Sequence, residues 1–312
     1  MYHLATAFPI VRRLHIPFTR DQVMLLMLAL NELLLGLETY LAHSISGTIM
    51  SKEWIPILFG PLAGILLLLA GLLAIRKRRL ATLIASAIYL ASLIVGLLGV
   101  YFHLVRAILP YAPLAEKVSI PLFVWAPPIL GPLTFALVGL MGLSAVWLEE
   151  PADSGRLLLL AGRKLQLPYP KTNAFFFMVA LGTLATVISS VLDHARTNFS
   201  NPWLWLPTGI GIFGTIIAFA LGVISAPRRS DLLTYMAGML LLVLVGLLGV
   251  ALHILRNLSL ENAIVIERFI RGAPFLAPML FADMGALGLI ILLDPNEGRQ
   301  PRPDAYGESN TH

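Results

Sequence analysis

Two stretches of the chain carry the same chemistry-bearing residues in the same order. One is Val95-Gly96-Leu97-Leu98-Gly99-Val100-Tyr101-Phe102-His103-Leu104-Val105-Arg106. The other is Val245-Gly246-Leu247-Leu248-Gly249-Val250-Ala251-Leu252-His253-Ile254-Leu255-Arg256. In each, two glycines, a histidine and an arginine follow at three- and four-residue steps, so on a helix all four share one face. That face offers a groove without side chains, then an imidazole, then a cation. It predicts half of a cofactor site, present twice.

The partner imidazoles are His43 and His194. Of the seven histidines, these two and His103 and His253 fall near predicted helix ends, and His3, His15 and His312 lie in the terminal segments. The matched positions predict two pairs, His43 with His103 and His194 with His253. In an up-down four-helix bundle the first and third helices are diagonal, roughly 12–14 Å apart when neighbours are 8–10 Å apart. Two imidazoles on opposite faces of a haem iron bridge such a gap. A single tetrahedral zinc or copper ion prefers closer backbones. Gly96, Gly99, Gly246 and Gly249 would clear room for a porphyrin plane. Gly36 and Thr39 precede His43 on its face. Ser190 repeats the second of these before His194, and Val187 stands at the first. Arg106 and Arg256 could pair with propionates. Two haem b groups are therefore expected, each held by two histidines. Such a haem is low-spin and carries electrons.

The elements that must position these residues are membrane spans. The chain is 58% hydrophobic with 12% charged residues, more apolar surface than a soluble domain of this size can hide. No cysteine is present, which excludes disulfides, thiolate metal sites and iron–sulfur clusters. The N-terminus lacks the pattern of a cleavable signal peptide. Residues 1–20 read as a basic interfacial lead-in. Eight spans are expected, at 23–41, 55–75, 80–103, 124–148, 174–192, 204–225, 232–253 and 275–293. The fold class expected is thus an all-α polytopic membrane protein, with eight transmembrane helices as two tandem four-helix bundles.

The repeat can be read position by position. Arg12-Arg13-Leu14 answers to Arg163-Lys164-Leu165, Pro17-Phe18 to Pro168-Tyr169, and Pro56 to Pro207. Pro128, Pro132, Phe135, Gly139 and Gly142 answer to Pro274, Pro278, Phe281, Gly285 and Gly288. A four-span unit is even, so the copies point the same way. The organisation expected is 1–150 for the first repeat and 151–162 for a cytoplasmic linker. A second repeat follows at 163–294, then a disordered cytoplasmic tail at 295–312. The basic residues at 12, 13, 20, 76–79, 156, 163, 164, 171, 228, 229, 299 and 302 fall on one side and include every dense cluster. The positive-inside rule makes that side cytoplasmic, with both termini. The four histidines then lie near the outer face of an inner, multi-pass membrane protein.

The carboxylates do not repeat. Glu32 stands opposite Thr183, Glu38 opposite Ser189, Asp283 opposite Leu137 and Asp193 opposite Ala42. A duplicated histidine–carboxylate metal site would need different ligands in its two copies. Glu32 and Asp283 lie well inside spans, where an ionisable group is a functional candidate. Either could carry protons or bond a quinone hydroxyl.

Two tandem four-helix units, each with a histidine pair near the outer face, resemble membrane b-type cytochromes, among them the haem A synthases. They are also similar in plan to eight-span quinol-oxidising subunits that carry no haem, of the polysulfide-reductase membrane type. The resemblance implies electron transfer in the bilayer, with a quinol and an outer-face redox subunit as partners. It lies in the topology alone. The glutamate-histidine-arginine signature of haem A synthases is missing, so no residue role comes from it. Two other readings stay open: a transporter or outer-face metal-binding protein, and a non-redox structural or pigment-binding subunit. Nothing in the sequence points to nucleic acid.

Overall fold

The structure, a computed structural model, describes residues 18–45, 47–114, 116–159, 162–258 and 264–293, with Leu4 and Phe8. Arg12, Arg13, Leu14 and Pro17, the three terminal histidines and the expected tail lie outside the described residues.

Ten helices are described. They are α1 (Arg20–Ser44), α2 (Trp54–Ala74), α3 (Arg78–Ala107), α4 (Ile120–Trp125), α5 (Leu130–Val146), α6 (Lys171–Ala195), α7 (Trp205–Val223), α8 (Arg229–Leu258), α9 (Ile266–Arg271) and α10 (Met279–Ile291). Local chemistry sets several of their starts. Thr19 and Gln22 form a capping box on α1, in which the Thr19 hydroxyl accepts from Gln22 N and the Gln22 side chain from Thr19 N. Asn201 caps the short turn that leads into α7.

Among the described residues six segments are long and apolar enough to cross a membrane: Arg20–Ser44, Ser51–Ala74, Arg78–Ala107, Lys171–Ala195, Pro202–Val223 and Arg229–Leu258. Their outward faces carry exposed large apolar side chains, such as Leu62, Leu69, Leu72, Leu97, Phe219 and Leu244. Water would penalise that surface, and lipid would not.

The remaining two expected spans are shorter than the sequence pattern implied. α5 has 17 residues and α10 has 13. At 1.5 Å per residue they reach about 25 and 20 Å, against a hydrocarbon core of about 30 Å. Proline is the cause. Pro127 and Pro128 keep the chain before α5 out of a helix, and Pro274 and Pro278 do the same before α10. The hydrophobic runs extend further than the helices inside them.

The helices pack as two rings of four. In the first, α1 lies on α2, α2 on α3, α3 on α5 and α5 on α1. In the second, α6 lies on α7, α7 on α8, α8 on α10 and α10 on α6. The rings meet through α5 against α6 and α10 against α1. Thus α1 and α3 are diagonal, as are α6 and α8.

The segment expected as a plain linker folds. Strands β1 (Leu148–Glu149), β2 (Arg156–Leu158) and β3 (Lys164–Gln166) form a small antiparallel sheet, with Leu148 opposite Leu158 and Arg156 opposite Gln166. Beside it lies a buried ionic clasp between the two halves. Arg20 bonds Thr172 Oγ1 at 2.6 Å, and Lys171 bonds Asp21 at 2.6 Å and the Trp147 carbonyl at 2.8 Å. Arg20 was expected in an interfacial lead-in, yet it is 1% exposed. Its burial is tolerable because Asp21 and Thr172 replace its water and Phe175 offers a ring face at 5.2 Å.

Candidate functional site at the ends of the first and third helices

His43, on the last turn of α1, and His103, on the last turns of α3, meet across the first ring. Their ring centroids are 6.1 Å apart. Each Nδ1 faces a backbone carbonyl, Thr39 O at 2.8 Å for His43 and Pro128 O at 2.9 Å for His103. A carbonyl only accepts, so Nδ1 carries the proton and the lone pair sits on Nε2. That tautomer suits metal ligation, and the carbonyl bond fixes the ring's orientation.

The Pro128 carbonyl accepts from Gly131 N at 3.3 Å and still has a lone pair for His103, for a reason written in the sequence. In a helix it would accept from the N–H four residues on, but that residue is Pro132, which has none. Pro274 and Pro278 repeat the spacing, and His253 Nδ1 lies 2.9 Å from Pro274 O. Reading the sequence for histidines alone missed this partner, although the proline spacing of four was a visible signal.

The two imidazoles line a cavity of about 140 Å³ that opens at one end. Ligand pockets are commonly roughly 300–1,000 Å³, so a large planar group would have to move some of the lining side chains. Its walls are mainly apolar, with Val95, Leu98, Phe102 and Phe135 among them. Cations sit at the rim. Arg106 lies 3.7 Å from Glu53, and the Lys52 ammonium stands 4.9 Å from the Phe102 ring centre.

The glycines do a different job from the clearance expected of them. A Cβ on Gly96 would overlap the Ala136 backbone nitrogen, and one on Gly246 would overlap that of Ala282. Both positions let α3 and α8 press against α5 and α10. Gly99 and Gly249 meet Pro132 and Pro278, with the would-be Cβ 2.6 Å from each proline Cβ. Gly99 also lines the cavity.

Three turns beneath the histidines is a second contact on the same diagonal. Glu32 precedes His43 by the same eleven residues by which Ser92 precedes His103, so each pair shares a helix face. The Ser92 hydroxyl lies within hydrogen-bond reach of both Glu32 Oε1 and the Phe135 carbonyl. One hydroxyl proton cannot serve two acceptors. The geometry is satisfied when Glu32 is protonated and donates to Ser92, which donates to Phe135. Glu32 is fully buried, and its Oε2 has no partner among the described residues.

The second ring presents its histidines differently. His194 Nδ1 lies 3.4 Å from the Ser190 hydroxyl, and Phe199 stands edge-on to the imidazole at 6.1 Å. Phe199 in turn stacks on Trp205 at 4.2 Å. His194 and His253 are close enough to interact electrostatically. Arg256 follows His253 on α8. Thr183 and Leu242 occupy the level that Glu32 and Ser92 hold in the first ring, both buried.

A smaller slot lies between the rings, lined by Asn31, Glu38, Thr134, Met279, Leu280 and Asp283 among others. Asn31 donates to Asp283 Oδ2 at 3.0 Å. Among the described residues no group of three or more His, Cys, Asp or Glu is placed to hold a metal ion. No protein-family model matches the chain, and neither does any curated protein or solved structure.

Proposed function

We propose that the chain is a membrane electron-transfer subunit of the b-type cytochrome class, built from two tandem four-helix units with eight membrane-crossing segments. The observation that carries this reading is the His43–His103 pair. Two rings ligating one metal from opposite sides, with metal–nitrogen bonds near 2 Å, place their centroids roughly 6 Å apart. The observed 6.1 Å agrees with that. Both Nδ1 atoms are engaged by carbonyls, and the space around the pair is apolar, with cations at its mouth.

The residues that would hold a haem b are His43 and His103, through Nε2, with Arg106 and Lys52 placed to meet its propionates. When bound, the group supplies one-electron transfer. The chain contributes the neutral tautomer of each histidine, an apolar wall that keeps water from the ring system, and a rim that holds Lys52 and the Arg106–Glu53 pair. A haem held by two histidines would carry electrons and would not take a substrate. The donor in this reading is therefore a lipid-soluble quinol, and the acceptor a redox partner on the histidine side. His194 and His253 are the second haem site. The repeated Pro274 carbonyl supports it, and Phe199 must turn away from His194 before a porphyrin can enter.

The repeat is supported by contacts that recur at matched positions, among them Gly96 on Ala136 with Gly246 on Ala282, and His103 on Pro128 with His253 on Pro274. The distribution of basic residues supports an inner-membrane topology with both termini cytoplasmic and all four histidines near the outer face. The test is the visible spectrum of the purified full-length protein, oxidised and dithionite-reduced. Sharp low-spin haem bands in the reduced form are expected. A colourless protein from haem-replete cells would overturn the reading.

A further inference from the structure

The interior acids gather on one side of the molecule. α5 has no ionisable residue, α6 has none between Lys171 and Asp193, and α8 has only Tyr235 between Asp231 and His253. α10 has only Asp283, and α1 brings Glu32 and Glu38. Glu32 turns into the first ring toward Ser92 and lines neither cavity. Asp283 and Glu38 both line the slot between the rings.

Asp283 is half-satisfied there. Its Oδ2 accepts from Asn31, while its Oδ1 is buried with no partner among the described residues. A bare ionised oxygen in an apolar slot is costly, and a protonated one needs an acceptor. The slot supplies room for that acceptor. It leaves about 40 Å³ for water. At roughly 10–15 Å³ per molecule, this holds about three waters. Thr134, Asn31 and Glu38 give those waters polar neighbours. From Asn31 to Glu38 the helix rises about 10 Å, a distance three waters can bridge. The slot and the histidine cavity share Leu35, Glu38, Thr134 and Leu280 as walls, so the two spaces adjoin.

We propose that this slot is a proton path, in which Asp283 holds the proton and a short file of waters passes it by Glu38 into the histidine cavity. In the transfer the Asp283 O–H bond breaks and an O–H bond forms on the first slot water. The carboxylate left behind keeps the Asn31 N–H, and the proton ends on Glu38 or on water in the cavity. The proposal stands on the slot's own geometry and holds with or without a haem in the cavity.

Infrared spectra of the full-length protein in lipid nanodiscs, moved from H2O to D2O, test it. In a Glu38→Gln background, which removes any band from Glu38 itself, two protonated-carboxyl bands are expected. One shifts as fast as the buffer is exchanged and is lost in Asp283→Asn. The other, from Glu32, shifts slowly and is lost in Glu32→Gln. Asn31→Leu should raise the frequency of the fast band by removing its hydrogen bond. Leu280→Phe, which fills the slot, should keep that band and delay its shift several-fold. A fast band that survives Asp283→Asn, or one that shifts as quickly with Leu280→Phe as without it, overturns the proposal. If Asp283→Asn does not fold, the Glu38→Gln spectrum decides alone, since the lack of any fast-exchanging carboxyl band would be fatal.

Discussion

The first and second rings use the same joints and differ in what they enclose. In both, a glycine on the third helix admits the fourth, and a proline carbonyl meets the third-helix histidine. Yet the first ring has a hydrogen-bonded acid on its diagonal, with a cavity between its histidines above. The second has Thr183 and Leu242 at the lower level, and Phe199 against His194 at the upper one. The shared residues are those that set helix separation, where any added atom collides. The residues that differ face the interior space, where side chains can change without moving a helix. The buried acid on the diagonal and the cavity described above thus both belong to the first ring.

The largest expected effect tests that division directly. If the chain binds haem as proposed, His43→Ala or His103→Ala should abolish the spectrum of the first ring, and His194→Ala or His253→Ala should remove a smaller share of total pigment. Pigment measured per protein decides it, and equal losses from both rings would make the two sites equivalent.

Next is the proline carbonyl. Pro132→Ala restores an N–H that can capture the Pro128 carbonyl, releasing His103 Nδ1. Loss of such a supporting contact typically weakens ligation by roughly 10–100-fold. Haem titration of the apoprotein should show a drop of that order, with a smaller change for Pro278→Ala. No change in Pro132→Ala would mean that the carbonyl does not orient His103.

Ser92→Ala should destabilise the first ring by about 1–3 kcal/mol, because it strips Glu32 of its hydrogen-bonding partner. Thr183→Ala, whose hydroxyl only returns to the Val179 carbonyl of its own helix, should cost less. Thermal unfolding in one detergent compares them, and a reversed order would contradict the polar diagonal assigned to the first ring.

The smallest effects separate joints from surface. Gly96→Ala and Gly246→Ala should each cost about 1–3 kcal/mol by overpacking. Gly71→Ala, with nothing within 4 Å of the added carbon, should be neutral or stabilising by less than about 1 kcal/mol. Similar melting temperatures for all three would remove the case for the shared joints.

Periodicity and composition were enough to mark the six long apolar helices among the eight spans expected, and the shared face of Gly96, Gly99, His103 and Arg106. Each depends on spacing along one helix, which the backbone geometry of that helix fixes by itself. The diagonal placement of α1 and α3 followed from chain order and short connections. Tertiary structure alone decided the rest. Asn31 meets Asp283 across 252 positions, and Arg20 meets Thr172 across 152. Whether a glycine clears room for a ligand or for a neighbouring helix depends on what approaches it, and for Gly96 that is Ala136. The cavity in the first ring and Phe199 in the second depend on how side chains from four helices fill one space. No single helix carries that information, because close packing is a property of the atoms that meet and not of the order in which they are joined.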